Sequence, residues 1–425
     1  MTETIPAATV GASGPLSPAA LHGELGAVRR GLRATDDEEL LARVVLAALA
    51  EPGDGVAGRL AAALGHARLA ALLRAGTGAA ALHEAAVAAG ETLAARQLGQ
   101  AMDRWRPRMD AARIALGVRR AAAIGARLLV PGDEAWPSGL DDLGEHAPHL
   151  LWVRGDPGAL RTPGVALVGA RAATGYGQGV AIELAAGLAD RGMGVVSGGA
   201  YGIDGAAHRS ALASGGTTVA YLAGGIDRLY PAGHEELLRS IIERGAVASE
   251  VPPGSAPTKW RFLQRNRCIA AASAATVVVE AGLRSGSLNT AAHAATLGRP
   301  LGAVPGPVTS PASAGCHRLL REFDAVCIVD AGQAGELAGI EPGELDRPAA
   351  STAAASPAPP QPARAGSTEV RVRDALSRRT ARSVGEIAAR SGLSTAEVMG
   401  VLGRLDLEGA ASRRPEGWVA VRAAG

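Results

Sequence analysis

From Gly164 to about Val304 the chain alternates short, unbroken apolar runs with stretches of helical character, and no other feature restricts its fold as much. The runs are Val165-Ala166-Leu167-Val168, Gly194-Val195-Val196, Thr217 to Leu222, Ala275 to Val279, and Leu301-Gly302-Ala303-Val304. Helical stretches occupy 178–191, 203–213, 234–244, 265–274 and 288–298. A strand with one wet face alternates apolar and polar residues, whereas a strand without that alternation is buried on both faces. Such strands separated by helices predict an α/β fold with a parallel sheet covered by helices.

The flanking segments are of different kinds. Residues 1–33 are rich in Ala, Gly, Pro and Ser and are expected to be disordered. Over 34–127 the period becomes helical: Leu40, Leu41, Val44, Val45 and Ala48 recur at helical spacing before Pro52-Gly53-Asp54-Gly55 interrupts them. The sheet domain is predicted over 128–340 and a Pro/Ala/Ser-rich linker over 341–366. In 367–425 a helix is expected at 368–379. Ser383-Val384-Gly385-Glu386 and Ser394-Thr395-Ala396-Glu397 each open a further helix with a capping box, separated by a turn at Ser391-Gly392-Leu393. Extended pieces ending in Trp418-Val419-Ala420-Val421 follow, and three helices then a hairpin is the order of a winged helix-turn-helix.

A net charge of +2 rules out a chain that coats nucleic acid by bulk charge, so any such site must be local. Cys268, Cys316 and Cys327 show neither disulfide-framework nor zinc-ligand spacing. With no signal-peptide pattern and no long uncharged apolar stretch, a cytoplasmic location without a membrane span is expected.

Three glycine-bearing turns carry candidate binding groups. Val168-Gly169-Ala170-Arg171 closes the first apolar run, and Gly175-Tyr176-Gly177 leads into a helix; amides at such a turn accept anions, and Arg171 adds a forked donor. Ser197-Gly198-Gly199 repeats the arrangement after the second run, and Ser285-Gly286-Ser287 with Asn289 does so after a later one. A nicotinamide cofactor is disfavoured, because the second run ends without the carboxylate that would hold a ribose and the glycines miss G-x-G-x-x-G spacing. Asp204 and His208, four residues apart, read most simply as a helix cap and a packed ring; an acid/base pair or metal ligands is the alternative.

Lys259-Trp260-Arg261-Phe262-Leu263-Gln264-Arg265-Asn266-Arg267 is the densest basic and aromatic cluster, holding the only lysine and one of 2 phenylalanines. Single-strand binders need this mixture, cations for the backbone and flat rings for the bases. The plainer alternative is a helix entry with packed rings and solvated arginines. No nucleophile elbow and no phosphate-binding G-x-x-x-x-G-K-[ST] loop occurs, so no catalytic residue, metal or cofactor is assigned.

In this order the motifs resemble the DNA-processing protein A family (DprA, also called Smf). They run from Val168-Gly169-Ala170-Arg171, through Ser197 to Asp204 with Ala207-His208, Gly224 to Asp227, Tyr230-Pro231 and Ser249-Glu250, to Phe262 to Arg267 and Glu280 with Ser285 to Ala291. The resemblance implies an extended Rossmann-like core, a helical SAM-like N-terminal domain and a winged helix. It also implies a non-enzymatic single-strand DNA binder that protects incoming DNA in natural transformation, loads the recombinase RecA and dimerises through the C-terminal part of the core. By position, the DNA-binding set is Gly169, Arg171, Ser197, Gly198, Gly199, Lys259, Phe262, Arg265, Asn266, Arg267, Ser285, Gly286 and Asn289, with Arg171, Lys259 and Arg267 neutralising phosphates. Cys316-His317 and Phe323-Asp324 depart from the family pattern near its dimer contacts, which puts the dimer geometry in question, and Leu263 stands where the family usually has a proline. Two rival readings are a nucleotide phosphoribohydrolase on a related core and a winged-helix transcription regulator. The first lacks its Pro-Gly-Gly-x-Gly-Thr motif here, where Glu280-Ala281-Gly282-Leu283-Arg284-Ser285-Gly286 stands.

Overall fold

The computed structural model describes residues 16–339, 365–377, 380–391, 393–407 and 409–421. Its first helices are α1 (Pro18–Val28), α2 (Asp37–Leu49), α3 (Gly55–Leu64), α4 (His66–Arg74), α5 (Ala79–Ala88), α6 (Ala95–Trp105) and α7 (Ala111–Ala123). Strands β1 (Arg127–Leu129), β2 (Leu151–Gly155) and β3 (Gly164–Gly169) precede α8 (Gly175–Asp190), β4 (Gly194–Ser197), α9 (Ile203–Ala213), β5 (Thr218–Tyr221) and α10 (Glu235–Arg244). Next come β6 (Ala246–Ser249), α11 (Lys259–Ala271), β7 (Ala275–Glu280), α12 (Ser287–Thr296), β8 (Leu301–Ala303), α13 (Ala314–Glu322), β9 (Val326–Cys327) and α14 (Ala331–Leu337). The tail comprises α15 (Ala365–Ala375), α16 (Val384–Ser391), α17 (Thr395–Leu407), β10 (Ala411–Arg414) and β11 (Gly417–Ala420).

Contacts divide the chain into two units. The first is Met1–Arg161 with Leu222–Arg228 and Ala246–Cys268. It begins with a departure from expectation, since α1 lies within the segment expected to be disordered. Ser17 Oγ accepts from the Ala20 N–H at 3.2 Å, Pro18 supplies a preset φ, and Leu21, Leu25 and Val28 bury one stripe. Arg29, just beyond, is buried and gives Nη1 to Asp133 at 2.5 Å and to Leu128 O at 2.8 Å. A short amphipathic pattern is easily lost in an Ala/Gly-rich sequence. In this unit β2 pairs antiparallel with β1 and with β6, Trp152 standing opposite both Leu128 and Ser249. Strand β6 was not anticipated: four residues between a helix and a Pro-Gly turn are too few to show a period.

The second unit, Thr162–Tyr221, Leu229–Gly245 and Ile269–Gly425, holds the parallel strands in the order β5-β4-β3-β7-β8-β9. Every residue of β4, β5 and β7 is buried, as the unbroken apolar runs required. Val165 and Leu167 of β3, Leu184 and Leu188 of α8, Ile203 of α9 and Val277 of β7 share one core. The predicted α/β, Rossmann-like parallel sheet is therefore present in this unit.

The tail folds on its own core of Val372, Ile387, Leu393, Val398, Val401, Leu402 and Leu405. Both capping boxes are closed reciprocally. Glu386 N donates to Ser383 Oγ at 3.2 Å while Ser383 N donates back to Glu386 Oε2 at 2.8 Å. Ser394 and Glu397 repeat this at 2.9 and 3.2 Å. With β10 and β11 antiparallel, this is the winged helix. The linker at 341–366 falls almost wholly outside the described residues, as does Gly392 of the expected turn.

Candidate nucleic-acid interface

In the second unit, β3, β4 and β7 are neighbours and end side by side, so Gly169, Ser197 and Glu280 share the carboxyl edge where open α/β sheets hold ligands. The first turn is already occupied by an anion belonging to the chain itself. Glu280 Oε2 accepts from Thr174 N at 2.8 Å and Oε1 from Thr174 Oγ1 at 2.6 Å. Thr174 Oγ1 also accepts from Gly177 N at 3.1 Å, capping α8. A Cβ on Gly177 would lie 2.6 Å from Glu280 Oε2, so that glycine makes room for the carboxylate. At the helix start that carries phosphate in dinucleotide folds, Glu280 here takes the Thr174 N–H and hydroxyl. Gly169 has a packing role: its Cβ would meet Ile203 Cγ1 at 2.5 Å and Glu280 O at 2.8 Å.

The second turn follows the same logic. Asp204, 6 % exposed, accepts from Gly198 N at 3.1 Å and Ala200 N at 3.3 Å, and Ser197 Oγ donates to Leu167 O at 2.6 Å. The expectation that Ser197, Gly198 and Gly199 cradle phosphate through open amides is thus corrected for Gly198 N, and the Ser197 hydroxyl is buried. His208 is packed as the simpler reading had it, its Nδ1 2.7 Å from Thr218 Oγ1, but Asp204 does not cap α9: it reaches back to close the preceding turn. At the third turn Ser285 Oγ and Ser287 Oγ are 2.8 Å apart and Asn289 N donates to Gly286 O at 3.1 Å. Arg171 and Asn289 are both half-buried, Gly286 is exposed, and Arg284 beside them is exposed.

The basic and aromatic cluster forms the start of α11, and its part in the first unit sorts itself by burial. Lys259 is exposed, Trp260 is 54 % exposed and Phe262 is half-buried with the Arg265 guanidinium 5.9 Å from its ring centroid. Arg265 and Asn266 are buried. Arg267 is 2 % exposed, and its Nη2 donates to Glu250 at 2.6 Å while Nη1 donates to Cys268 Sγ at 2.9 Å. Its assignment as a phosphate-neutralising group is therefore corrected. It is an interior partner of Glu250, and burial pushes the neighbouring Cys268 thiol far up from its ordinary value. Arg261, too, turns inward, holding Glu51 through Nε at 2.9 Å and Nη2 at 3.0 Å.

Sequence reasoning missed a cluster in the second unit that joins tail to core. The Arg371 guanidinium of α15 lies 4.4 Å from the Tyr201 ring centroid and donates through Nη2 to Ser391 O at 2.8 Å. Tyr201 Oη accepts from Gly233 N at 3.2 Å, and Asp374 hydrogen-bonds Tyr230. Burial raises the Tyr230 phenol, partly opposed by Arg171. The signal was two tyrosines in a chain with 4. On α17, the third helix of the winged helix, the exposed face offers Met399, Gly400 and Gly403 with a single exposed cation, Arg404, which is thin for a groove reader.

Among the described residues no group of three or more His, Cys, Asp or Glu is arranged to hold a metal. No single described helix is long and apolar enough to cross a membrane; α3 and α4, bent by 110°, pass together by length and composition only.

Known proteins share this architecture. Residues 127–337 match the family described as DNA recombination-mediator protein A, and 356–417 match the DprA winged helix domain. The DNA processing protein DprA of Mycobacterium tuberculosis is 50% identical over 319 residues, which covers 70% of this chain and 78% of that protein. Protein Smf of Escherichia coli is 40% identical over 196 residues, 46% of this chain and 52% of its own. Among solved structures, DNA processing protein A of Streptococcus pneumoniae superposes with a TM-score of 0.57 at 28% identity, covering 73% of this chain and 99% of that one. With half of the aligned residues identical over 78% of a named relative, and with both family domains matched in order, the chain belongs to the DprA family of DNA-processing proteins.

Proposed function

We propose that this DNA-processing protein binds single-stranded DNA with weak sequence preference, protects incoming DNA in natural transformation and hands it to the recombinase RecA. One observation carries the reading: the only lysine, Lys259, and the exposed Trp260 open α11, with Phe262 half-buried one turn on. Cations for the backbone beside flat rings for the bases is what a sequence-tolerant single-strand site requires. Arg171, Ser285, Gly286 and Asn289 of the second unit are the further proposed contacts, with Gly169 and Ser197 to Gly199 shaping their turns. Arg265, whose guanidinium lies over the Phe262 ring and whose Nε donates to Asn266 Oδ1 at 3.3 Å, and Asn266 belong to the same proposed DNA-binding set. No catalytic residue is assigned.

Self-association through the C-terminal part of the core belongs to the same proposal. Strand β9 is exposed, and Phe323 (36 %), Val326 (49 %) and Val329 (59 %) present apolar surface there. Of the two departures from the family pattern, Cys316 is buried with Sγ 3.6 Å from Val278 O, and His317 bonds Gly306 O at 2.9 Å. They serve packing, while Phe323-Asp324 lie at the surface, Asp324 with φ 50.

The test is a titration of labelled single- and double-stranded oligonucleotides over a series of salt concentrations. Preferential single-strand binding that weakens steeply with salt is expected, and Lys259→Ala with Phe262→Ala should remove most of it. Equal affinity for both DNA forms, or an unaffected double variant, overturns the reading. Release of a free base from a nucleoside monophosphate would revive the phosphoribohydrolase alternative.

A further inference from the structure

The first unit contains a cavity of about 280 Å³ that none of the DNA contacts proposed above uses. It is walled by the α2–α3 connection, by α7 and by the loop after β6, and Arg261 of α11 reaches its edge. We propose that this cavity is a binding site for a phosphate-bearing small molecule no larger than a mononucleotide, held by Arg113 and Arg120.

The charge balance around the cavity carries the argument. Three carboxylates line it, and each is already matched. Glu51 is shared by Arg108 and Arg261, Glu250 faces Arg267, and Asp54 faces Arg104 at 3.2 Å. Arg113 and Arg120 line it as well, and neither guanidinium has an ion-pair or hydrogen-bond partner among the described residues. Four guanidiniums thus line the cavity beside three carboxylates, and those of Arg113 and Arg120 are held by none of the three. Two forked donors left without a carboxylate suit a phosphate monoester or polyphosphate, whose several oxygens and two or more charges can engage both, better than a single carboxylate. Arg113 and Arg120 lie two turns apart on α7, about 10 Å along the axis, so they can bracket a ligand or converge on a chain of phosphates.

The remaining lining suits a partly polar ligand. Trp152 is fully buried, and its indole N–H has no partner among the described residues. His149 places Nδ1 3.3 Å from His66 Nε2, which leaves its Nε2 without a described partner. Burial lowers His149 to about 4, so its ring is neutral and able to exchange one hydrogen bond rather than add charge. The volume is at the lower end of what encloses an organic ligand, roughly 300 Å³, which limits the occupant to one nucleotide's worth of atoms.

The inference does not rest on the DNA reading, and the test keeps the two apart. Equilibrium dialysis of the full chain would use inorganic pyrophosphate, a nucleoside 5′-monophosphate, a nucleoside 5′-triphosphate and a 5′-phosphorylated oligonucleotide as separate probes. Saturable binding of at least one small probe is expected. It should weaken at least tenfold in Arg113→Ala/Arg120→Ala, whose surface positions leave the melting temperature unchanged, and should persist in Arg171→Ala/Lys259→Ala. Pyrophosphate binding alone would identify a phosphate site, and tighter binding of a nucleotide would show that the base is also held. The proposal is overturned if no small probe saturates up to millimolar concentration, if the α7 double variant binds like the parent, or if only the oligonucleotide binds. Loss of small-probe binding in Arg171→Ala/Lys259→Ala, instead of in the α7 variant, would overturn it too.

Discussion

Glu280 and Arg267 each bury a charge, and each is matched by a group far away or inward, which decides what substitution there would do. Removing the Glu280 carboxylate strands the Thr174 N–H and hydroxyl at the start of α8. Glu280→Ala should therefore destabilise folding by about 1–3 kcal/mol in urea unfolding, with Glu280→Gln milder. Arg267→Ala leaves Glu250 without its cation in the interior, and a loss of roughly 3–5 kcal/mol is expected from the same measurement. The DNA-facing residues should behave in the opposite way. Phe262→Ala is expected to weaken single-strand binding by about 1–3 kcal/mol with the salt slope unchanged. Lys259→Ala should flatten the plot of log affinity against log salt by about 0.7, the share of one phosphate contact. If Arg267→Ala flattened that slope while stability held, the interior role given to Arg267 would be wrong. The cluster 259–267 was legible as a unit because its composition is unlike the rest of the chain. Which of its cations face solvent was not, because burial depends on the helix face that packs against Glu250 and Glu51.

Elements with local causes were readable to within a few residues. Helix α9 spans Ile203–Ala213, as its pattern required, and both capping boxes in the tail close as written in the sequence, since Ser and Glu three residues apart need only one turn to meet. Replacing Ser394 by Ala should cost the tail about 1 kcal/mol, seen as an earlier thermal transition of the winged helix. Strand β6 and helix α1 went unread for want of length or contrast. The placement of α15 on the core was beyond reach from sequence, because Arg371 and Tyr201 lie far apart along the chain. Arg371→Ala should release α15, detected as faster hydrogen exchange at Gly233, whose N–H is bonded to Tyr201, and over 199–202. Unchanged exchange would mean that the contact holds nothing in place.

At the level of the whole chain, acid sensitivity follows from histidines that folding keeps neutral. Burial lowers His66 to about 3, and His149 and His234 each to about 4, from an ordinary 6.5. The unfolded chain binds protons at these sites below pH 6.5 while the folded chain does not. Their contribution to stability is complete above pH 6.5 and is lost as pH falls toward 4. Melting temperature should accordingly drop between pH 7 and pH 5, and a flat profile would show that the rings protonate freely in the native state. What the sequence by itself determined was everything decided within a few residues: the order of strands and helices, the parallel sheet behind unbroken apolar runs, the capped helices of the tail, and the family. The tertiary structure alone decided which polar groups were left to meet a ligand. Glu280 reaches a turn 106 residues away, and Asp204 closes the amides that looked open. A buried donor or acceptor takes whatever partner packing brings within 3 Å, whatever the distance along the chain. That is why the glycine turns, which looked like phosphate cradles, proved to be partly filled by the protein's own carboxylates.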